Sequence, residues 1–351
     1  MRRPAALILI GLGAFFLALA PLCRFYVAGQ VVQAPLDQYQ ETHLEAQNAT
    51  YFDQATLKAR TGVTMVADNT VRGDVRGNNG NQRIAVWEAS TVFFDKAQPD
   101  KQVDIQKFRI AFDRRTGALV NCCSVNMDGD SDIQLSGYGL LFPLADVRKR
   151  DYTFYDTTTK QALPMKYDGT DKVEGLATYR FVQQVPETKV AKVDYKVPGE
   201  LLGLGKKSDA ETVDRYFSAT ITVWVDPRTG VPVKHDQKIN STVRTPDGQG
   251  RMTVAAADLV TIPADQKKLV DVANDSAFKI AMVRSRVPIG SLALGVLLLL
   301  AGAGVGVLGS RRAASAPPAP RRADGKFGAA PEAPAGPPKP PPPPAPPARR
   351  R

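Results

Sequence analysis

Two uninterrupted apolar runs, Ala5 to Leu22 and Val287 to Leu308, bracket a long segment in which apolar and polar residues alternate. Each run holds about 18 to 22 uncharged residues, close to the ~20 that a helix needs to cross ~30 Å of hydrocarbon. Both are predicted transmembrane helices. Arg2 and Arg3 precede the first, and Arg311, Arg312, Arg321 and Arg322 follow the second. The positive-inside bias therefore predicts two cytoplasmic termini and an extracytoplasmic segment between the runs. Ala18-Leu19-Ala20 has the small-x-small spacing of a signal cleavage site, but Pro21 would become the first mature residue, so an uncleaved anchor is the better reading. Leu22 before Cys23 argues against a lipidated cysteine, which reads instead as a small apolar residue at the membrane end.

Between the runs the hydrophobic period is two. Gln82 to Phe94, Val103 to Phe112, Ala118 to Val125, Tyr152 to Asp156, Thr178 to Val185, Arg215 to Val225, Val231 to Val243 and Arg251 to Ile262 are predicted strands. In Arg215 to Val225, Phe217, Ala219, Ile221, Val223 and Val225 fall on one face and Tyr216, Ser218, Thr220, Thr222 and Trp224 on the other. That division suits an antiparallel sheet covering a core on one side. Helices are few. Gln54 to Arg60 is a short candidate. Ala264 to Arg286 carries a broken apolar stripe and is expected to run into the second membrane helix with an interruption at Pro288. Pro198 to Ala210, with Leu201, Leu202 and Leu204 among glycines, is expected to be a loop with apolar residues packed beneath it. The predicted divisions are an anchor at 1–27, an extracytoplasmic β-rich domain at 28–286, a second membrane helix at 287–309 and a disordered tail at 310–351.

A repeat stands out. Phe108 to Val120 and Ile221 to Val233 share the order strand, Asp-x-Arg-Thr-Gly, strand, with Asp113 and Asp226 at equivalent places. Aspartate accepts hydrogen bonds from turn amides, and glycine takes the left-handed conformation that closes the turn. Two copies predict two similar β modules or two long hairpins in one extended sheet.

Charge changes the picture once it is divided. The net +11 suggests a polyanion partner, but nine Lys/Arg against two acids after residue 310, together with Arg2 and Arg3, leave the outer segment at +2. Nucleic acid is therefore not an expected partner. The tail also holds 14 of the 27 prolines, with a run from Pro340 to Pro344. It cannot bury enough apolar surface to offset ordering entropy, and polyproline II character is expected, as a solvated spacer or a ligand for a tail-binding protein.

The outer segment offers little chemistry. Cys122 and Cys123 exclude a disulfide framework, and two thiols in a strand are expected in preference to a strained vicinal ring. His43 and His235 stand far apart in sequence and in different settings. No phosphate loop, nucleophile elbow or zinc signature occurs, so no catalytic, cofactor-binding or metal-ligating residue is assigned and the chain is read as a non-enzyme without cofactors. Asn126 to Asp132 places Asp128, Asp130 and Asp132 at calcium-like spacing. The bidentate glutamate is missing, and a solvated acidic turn is expected.

The turns at Asp113-Arg114-Arg115-Thr116-Gly117 and Asp226-Pro227-Arg228-Thr229-Gly230, Asn121-Cys122, Tyr138-Gly139-Leu140-Leu141-Phe142-Pro143 and Tyr152-Thr153-Phe154-Tyr155-Asp156, set between two anchors, resemble an actinobacterial envelope family named porin PorA. That family includes the LmcA-like proteins of lipoglycan biosynthesis. The resemblance covers about Leu7 to Leu308. It implies a mainly β, elongated, antiparallel β-barrel-like extracytoplasmic domain enclosing an apolar cavity, and a role in handling membrane lipid or lipoglycan precursors, with no catalytic residues to carry over. The preferred expectation is a membrane-tethered lipid-binding protein. The alternatives are a non-catalytic scaffold recruiting envelope proteins and, behind it, a porin or channel subunit.

Overall fold

The computed structural model describes residues 2–314, so the proline-rich tail and its expected partner lie outside the described residues. Helix α1 (Arg2–Pro21) continues through a π-helical turn at Leu22–Val27 into the short α2 (Ala28–Val31). Then come β1 (Tyr39–Asp53), β2 (Lys58–Gly73), β3 (Ile84–Asp95), β4 (Gln102–Asp113) and the short β5 (Leu119–Val120) and β6 (Asn126–Met127). After a long irregular segment follow β7 (Tyr152–Asp156), β8 (Gln161–Val173), β9 (Leu176–Lys192), the short pair β10 (Val197–Pro198) and β11 (Ala210–Glu211), β12 (Asp214–Val225), β13 (Pro232–Arg244) and β14 (Arg251–Thr261). Helix α3 (Pro263–Ala281) leads through a π-helical turn at Met282–Arg286 into α4 (Val287–Ala314).

Twelve strands make one antiparallel sheet in the order β5-β4-β3-β2-β1-β14-β13-β12-β9-β8-β7, with β6 also pairing β4. The sheet twists and curls into a half-barrel. Its two edges meet through one segment. Leu119 N–H donates to Gly137 O (2.9 Å), Tyr138 N–H to Thr153 O (2.9 Å) and Tyr155 N–H to Tyr138 O (2.7 Å). Gly137 has φ +75°, and a Cβ there would lie 2.3 Å from Thr153 O, so only glycine fits between the edges.

The repeated turns both lie in this single sheet, but only the second joins a long hairpin, β12–β13; the first joins β4 to the two-residue β5 through just Ala111–Val120 and Phe112–Leu119. Asp113 Oδ1 accepts from the N–H of Arg115 (2.8 Å) and Thr116 (3.1 Å), and Asp226 Oδ1 accepts from Arg228 N–H (2.9 Å). The segment carrying Phe142 docks on both. Phe142 N–H donates to Gly230 O (3.1 Å), Ala145 N–H donates to Thr229 O (3.1 Å), and Gly117 packs under Phe142 O. Phe142 itself is fully buried among Tyr152, Phe154 and Phe181. The residues in the motifs Tyr138 to Pro143 and Tyr152 to Asp156 thus close the barrel seam.

Helices α1 and α4 are each long and apolar enough to cross a membrane. They pack on one another through small residues: a Cβ on Gly13 would come within 2.9 Å of Gly295 O, and one on Gly295 within 3.0 Å of Gly13 O. Their inner ends are tied to the sheet domain. Arg24 Nη1 donates to Arg284 O (3.0 Å), and Arg284 Nη1 donates to Ala145 O (2.9 Å). Among the described residues, the large apolar side chains left exposed lie mostly on these helices, Leu7, Ile8, Ile289, Leu297 and Leu300 among them, whereas the sheet exposes few.

Several expectations need correction. Gln54 to Arg60 forms no helix: Asp53 Oδ1 accepts from Ala55 and Thr56 N–H, Leu57 turns at φ 54°, and Lys58 starts β2. The strand expected over Ala118 to Val125 stops at Val120. Asn121 there turns its side chain to Leu135, accepting from Leu135 N–H (2.7 Å) and donating to its carbonyl (3.0 Å), and Cys122 and Cys123 are joined as a vicinal disulfide rather than standing as thiols. The helix expected over Ala264 to Arg286 is present as α3, and its interruption is the π-helical turn just ahead of Pro288. The long strands β1, β2 and β8, and the two-residue β6, β10 and β11, lie outside the predicted strands. Thr, Gln, Asn and Lys interrupt the period-two pattern of the three long ones.

A cavity at the mouth of the half-barrel

The concave side of the sheet is incompletely filled. It encloses a cavity of about 820 Å³, within the ~300–1,000 Å³ of sites that bury small ligands. Leu44, Phe93, Phe217, Ile221, Ile239 and Leu259 line its strand walls. Their inward direction follows from register: Ile221 lies opposite Gln237 and Gln183, and Gln237 opposite Leu259, so the four point to one side. Helix α3 completes the enclosure with Leu269, Val272 and Phe278. The lining then continues to Val31–Ala34 below α2 and to Met282 and Val283 at the head of α4. The cavity therefore reaches from the sheet interior to the inner ends of both apolar helices.

Among the described residues, the titratable groups fall in separate places on the half-barrel. His235 lines the cavity on β13. Burial lowers its pKa to about 4, so the imidazole is neutral near neutral pH. Its backbone N–H donates to Thr261 Oγ1 (3.0 Å). His43 lies elsewhere, with Nδ1 2.7 Å from Asp265 Oδ2, while its backbone N–H donates to the same oxygen (2.7 Å). This joins β1 to the first turn of α3. Asp265 is almost fully buried. Burial alone would raise its pKa, but bonds from Lys268 and His43 outweigh that and hold the carboxyl below its usual value. Asp156 also lines the cavity, and burial raises it although Thr159 donates through its backbone N–H (2.7 Å) and hydroxyl (2.6 Å). Burial, together with a hydrogen bond to Asp258, pushes Asp236 up to about 6. It alternates with the cavity-lining His235 and Gln237 along β13 and so belongs to the opposite face of the sheet.

The acidic segment Asn126 to Asp132 is engaged in backbone and ion-pair contacts. Asp128 Oδ1 accepts from Lys107 N–H (2.7 Å), Asp130 Oδ2 lies 2.5 Å from Lys160 Nζ, and Asp130 Oδ1 accepts from Asp132 N–H. Among the described residues no group of three or more His, Cys, Asp or Glu could hold a metal ion. The loop from Pro198 to Ala210 buries Leu202 against Val197, Val213 and Val243, as a packed satellite away from the cavity.

Sequence reading assigned no site residues and left the cavity lining unnamed. The signal that could have found it is the inward register of β12 and β13, where Phe217, Ala219, Ile221 and Val223 face His235, Gln237 and Ile239 rather than a continuous apolar set.

The matches to known proteins agree with this architecture. A curated protein named porin PorA from Corynebacterium resistens is 24% identical over 217 residues, 45% of this chain and 52% of the relative. A second of the same name from Corynebacterium amycolatum is 21% identical over 301 residues, 68% of this chain and 78% of the relative. The chain thus spans about half the length of the first relative and more of the second. The model of the porin PorA family matches residues 5–304, taking in both apolar helices and the whole half-barrel, and the chain belongs to that family.

Proposed function

We propose that this protein holds a lipid in the half-barrel cavity at the outer surface of a membrane, with α1 and α4 crossing the bilayer and both termini in the cytoplasm. The observation that carries the reading is the continuity of the cavity. Its largely apolar lining runs without a break from the sheet interior to Val31, Val32, Met282 and Val283, where the apolar helices begin. An acyl chain leaving the outer leaflet there meets a lining that is mostly apolar, so its transfer keeps most of the hydrophobic stabilisation it had in the bilayer. The +2 outer domain and the basic tail fit that orientation. No catalytic step is assigned, because the titratable groups at the cavity do not converge.

The test is lipid content. The full-length chain, exchanged into amphipol and denatured, should release a defined lipid species by mass spectrometry. A Gln237→Trp variant, which places an indole in the cavity, should release markedly less. Equal lipid from both proteins identifies the lipid as annular and sinks the reading.

The relatives' name supplies a second reading, a channel. Within one copy α1 and α4 pack directly on each other at Gly13 and Gly295, and the sheet lacks the outward apolar band of a membrane barrel. A conducting path would therefore need several copies around α1 and α4. Single-channel steps in planar bilayers that vanish with Gly295→Leu would favour it.

A further inference from the structure

The inner wall of β1 to β4 carries polar groups that an acyl chain does not require. Thr42 lies opposite Asn69, Asn69 opposite Thr91, and Thr91 opposite Gln106. All four line the cavity. Four consecutive strands therefore place a hydroxyl or an amide at the same level of the wall. The neighbouring rows are mostly apolar, with Gln40, Val71, Ala89 and Phe108 on one side and Leu44, Ala67, Phe93 and Asp104 on the other, Asp104 being paired with Arg215 (3.2 Å).

The row is only partly self-satisfied. Asn69 Nδ2 donates to Thr91 Oγ1 (2.7 Å), and Gln40 Nε2 donates to Thr42 Oγ1 (3.3 Å). That leaves the hydroxyl hydrogens of Thr42 and Thr91, the carbonyl oxygen of Asn69 and the whole amide of Gln106 facing the cavity. Donors and acceptors alternate across four strands, roughly 14 Å at the usual strand spacing, and none is charged. The nearest ionisable groups in the lining offer no cation to an anion at this row. Lys279 is paired with Asp275 (2.6 Å), Asp156 is an acid held by Thr159, and His235 is an imidazole on the opposite wall.

We propose that the Thr42–Asn69–Thr91–Gln106 row is a binding site for the uncharged, hydroxyl-bearing headgroup of a lipid whose acyl chains lie along the flanking apolar rows. Hydroxyls both donate and accept, which is what alternating amides and hydroxyls match. A phosphodiester brings acceptors and a charge with no partner, and is disfavoured. This inference rests on the lipid-holding reading above, and its test separates the two.

The full-length chain is placed in phosphatidylcholine nanodiscs containing, in turn, photoactivatable diacyl lipids with a neutral monohexosyl, a bare hydroxyl or a phosphoglycerol headgroup. Labelled peptides are mapped by mass spectrometry. Cavity peptides should be labelled about tenfold more efficiently by the monohexosyl lipid than by the phosphoglycerol lipid, with the bare hydroxyl between them, as the difference of one or two hydrogen bonds implies. The near-isosteric Thr91→Val should reduce that ratio several-fold. Thr91→Val combined with Gln106→Leu should bring it close to one while acyl-chain labelling of Phe217 and Ile239 peptides persists, which also reports a folded wall. Equal labelling by the three lipids in the unsubstituted protein, or a preference that survives the double substitution, overturns the inference alone. Protection of the row by free hexose as strong as by the hexosyl lipid assigns it to a soluble polyol and likewise overturns it. No cavity labelling by any lipid overturns the lipid-holding reading as well.

Discussion

Asp265 is the residue whose removal should most cleanly detach α3 from the half-barrel. It is 2% exposed and receives three donors: the backbone N–H of His43 (2.7 Å), the His43 ring at 2.7 Å and Lys268 Nζ at 3.0 Å. The partners do not count equally. The Lys268 and His43 side chains are 72% and 38% exposed, so solvent screens both and each contributes about 0–1 kcal/mol. The bond from the His43 backbone to a buried carboxylate contributes about 1.5–3 kcal/mol, because its loss strands a peptide N–H as well as removing a contact. Asp265→Ala should therefore cost about 2–4 kcal/mol, and Asp265→Asn clearly less, since its amide oxygen still accepts. The assay is equilibrium unfolding of the full-length chain in micelles, followed by the emission of Trp224, which packs against Leu269, Val270 and Ala273 of α3. The carboxyl titrates below its usual value in the folded protein. Its contribution is thus fully present above the unfolded pKa of about 3.9 and is lost as pH falls through the lower folded value. The gap between the unsubstituted protein and Asp265→Ala should persist at pH 7 and close below about pH 4. A loss under ~1 kcal/mol at pH 7, or a gap that does not narrow in acid, would refute the latch.

Gly137→Ala should open the barrel seam, because φ +75° and the 2.3 Å approach to Thr153 O leave no place for a methyl; a cost of about 2–4 kcal/mol and faster amide exchange at Tyr138 and Tyr155 are expected. His235, lowered to about 4 by burial, withholds stability in acid. Between pH ~6.5 and ~4 the unfolded chain binds a proton that the folded chain does not, a loss of up to about 1.4 kcal/mol per pH unit that His235→Gln should remove from the unfolding profile. Gly13→Leu should force α1 away from Gly295, read as a lost inter-helix cysteine crosslink, with the sheet's circular dichroism unchanged. Cys122→Ser with Cys123→Ser should leave the sheet intact and add two exchangeable amides at the β5 edge, detected by mass spectrometry under non-reducing conditions.

How much of this was legible depended on what each stretch buries. Strands such as β12 turn an unbroken apolar series to one face, and Phe217, Ala219, Ile221, Val223 and Val225, buried except for the half-buried Ile221, announce it. Strands β1 and β2 face the cavity with Gln40, Thr42 and Asn69, so their inner face is not uniformly apolar and their period-two signal fades. The illegible β1 and β2 thus carry half of the polar row, whereas β3 and β4, which carry Thr91 and Gln106, are legible through their flanking apolar residues. The hairpins were visible because Asp113 and Asp226 bond local amides, an interaction encoded within four residues. The seam was not, since Gly137 matters only through Thr153, which folding brings beside it.

The cavity itself follows from strand number. A barrel of about eight strands closes just tightly enough for its own side chains to fill it, and wider sheets leave space. Here twelve strands curl around one axis, and the wall carries small residues at inward positions, Ala67 and Ala219 among them. Phe142 and its aromatic neighbours pack on the β7–β9 side and Trp87 with Phe112 on the β3–β4 side, and Trp87, Phe142 and Phe154 border the cavity between them. An apolar void of this size left empty would forfeit dispersion contacts along its whole lining. That lining reaches Val31 at the end of α2 and Met282 and Val283 ahead of α4, so under the proposed reading it is the chain of a membrane lipid, entering from beside the apolar helices, that restores those contacts.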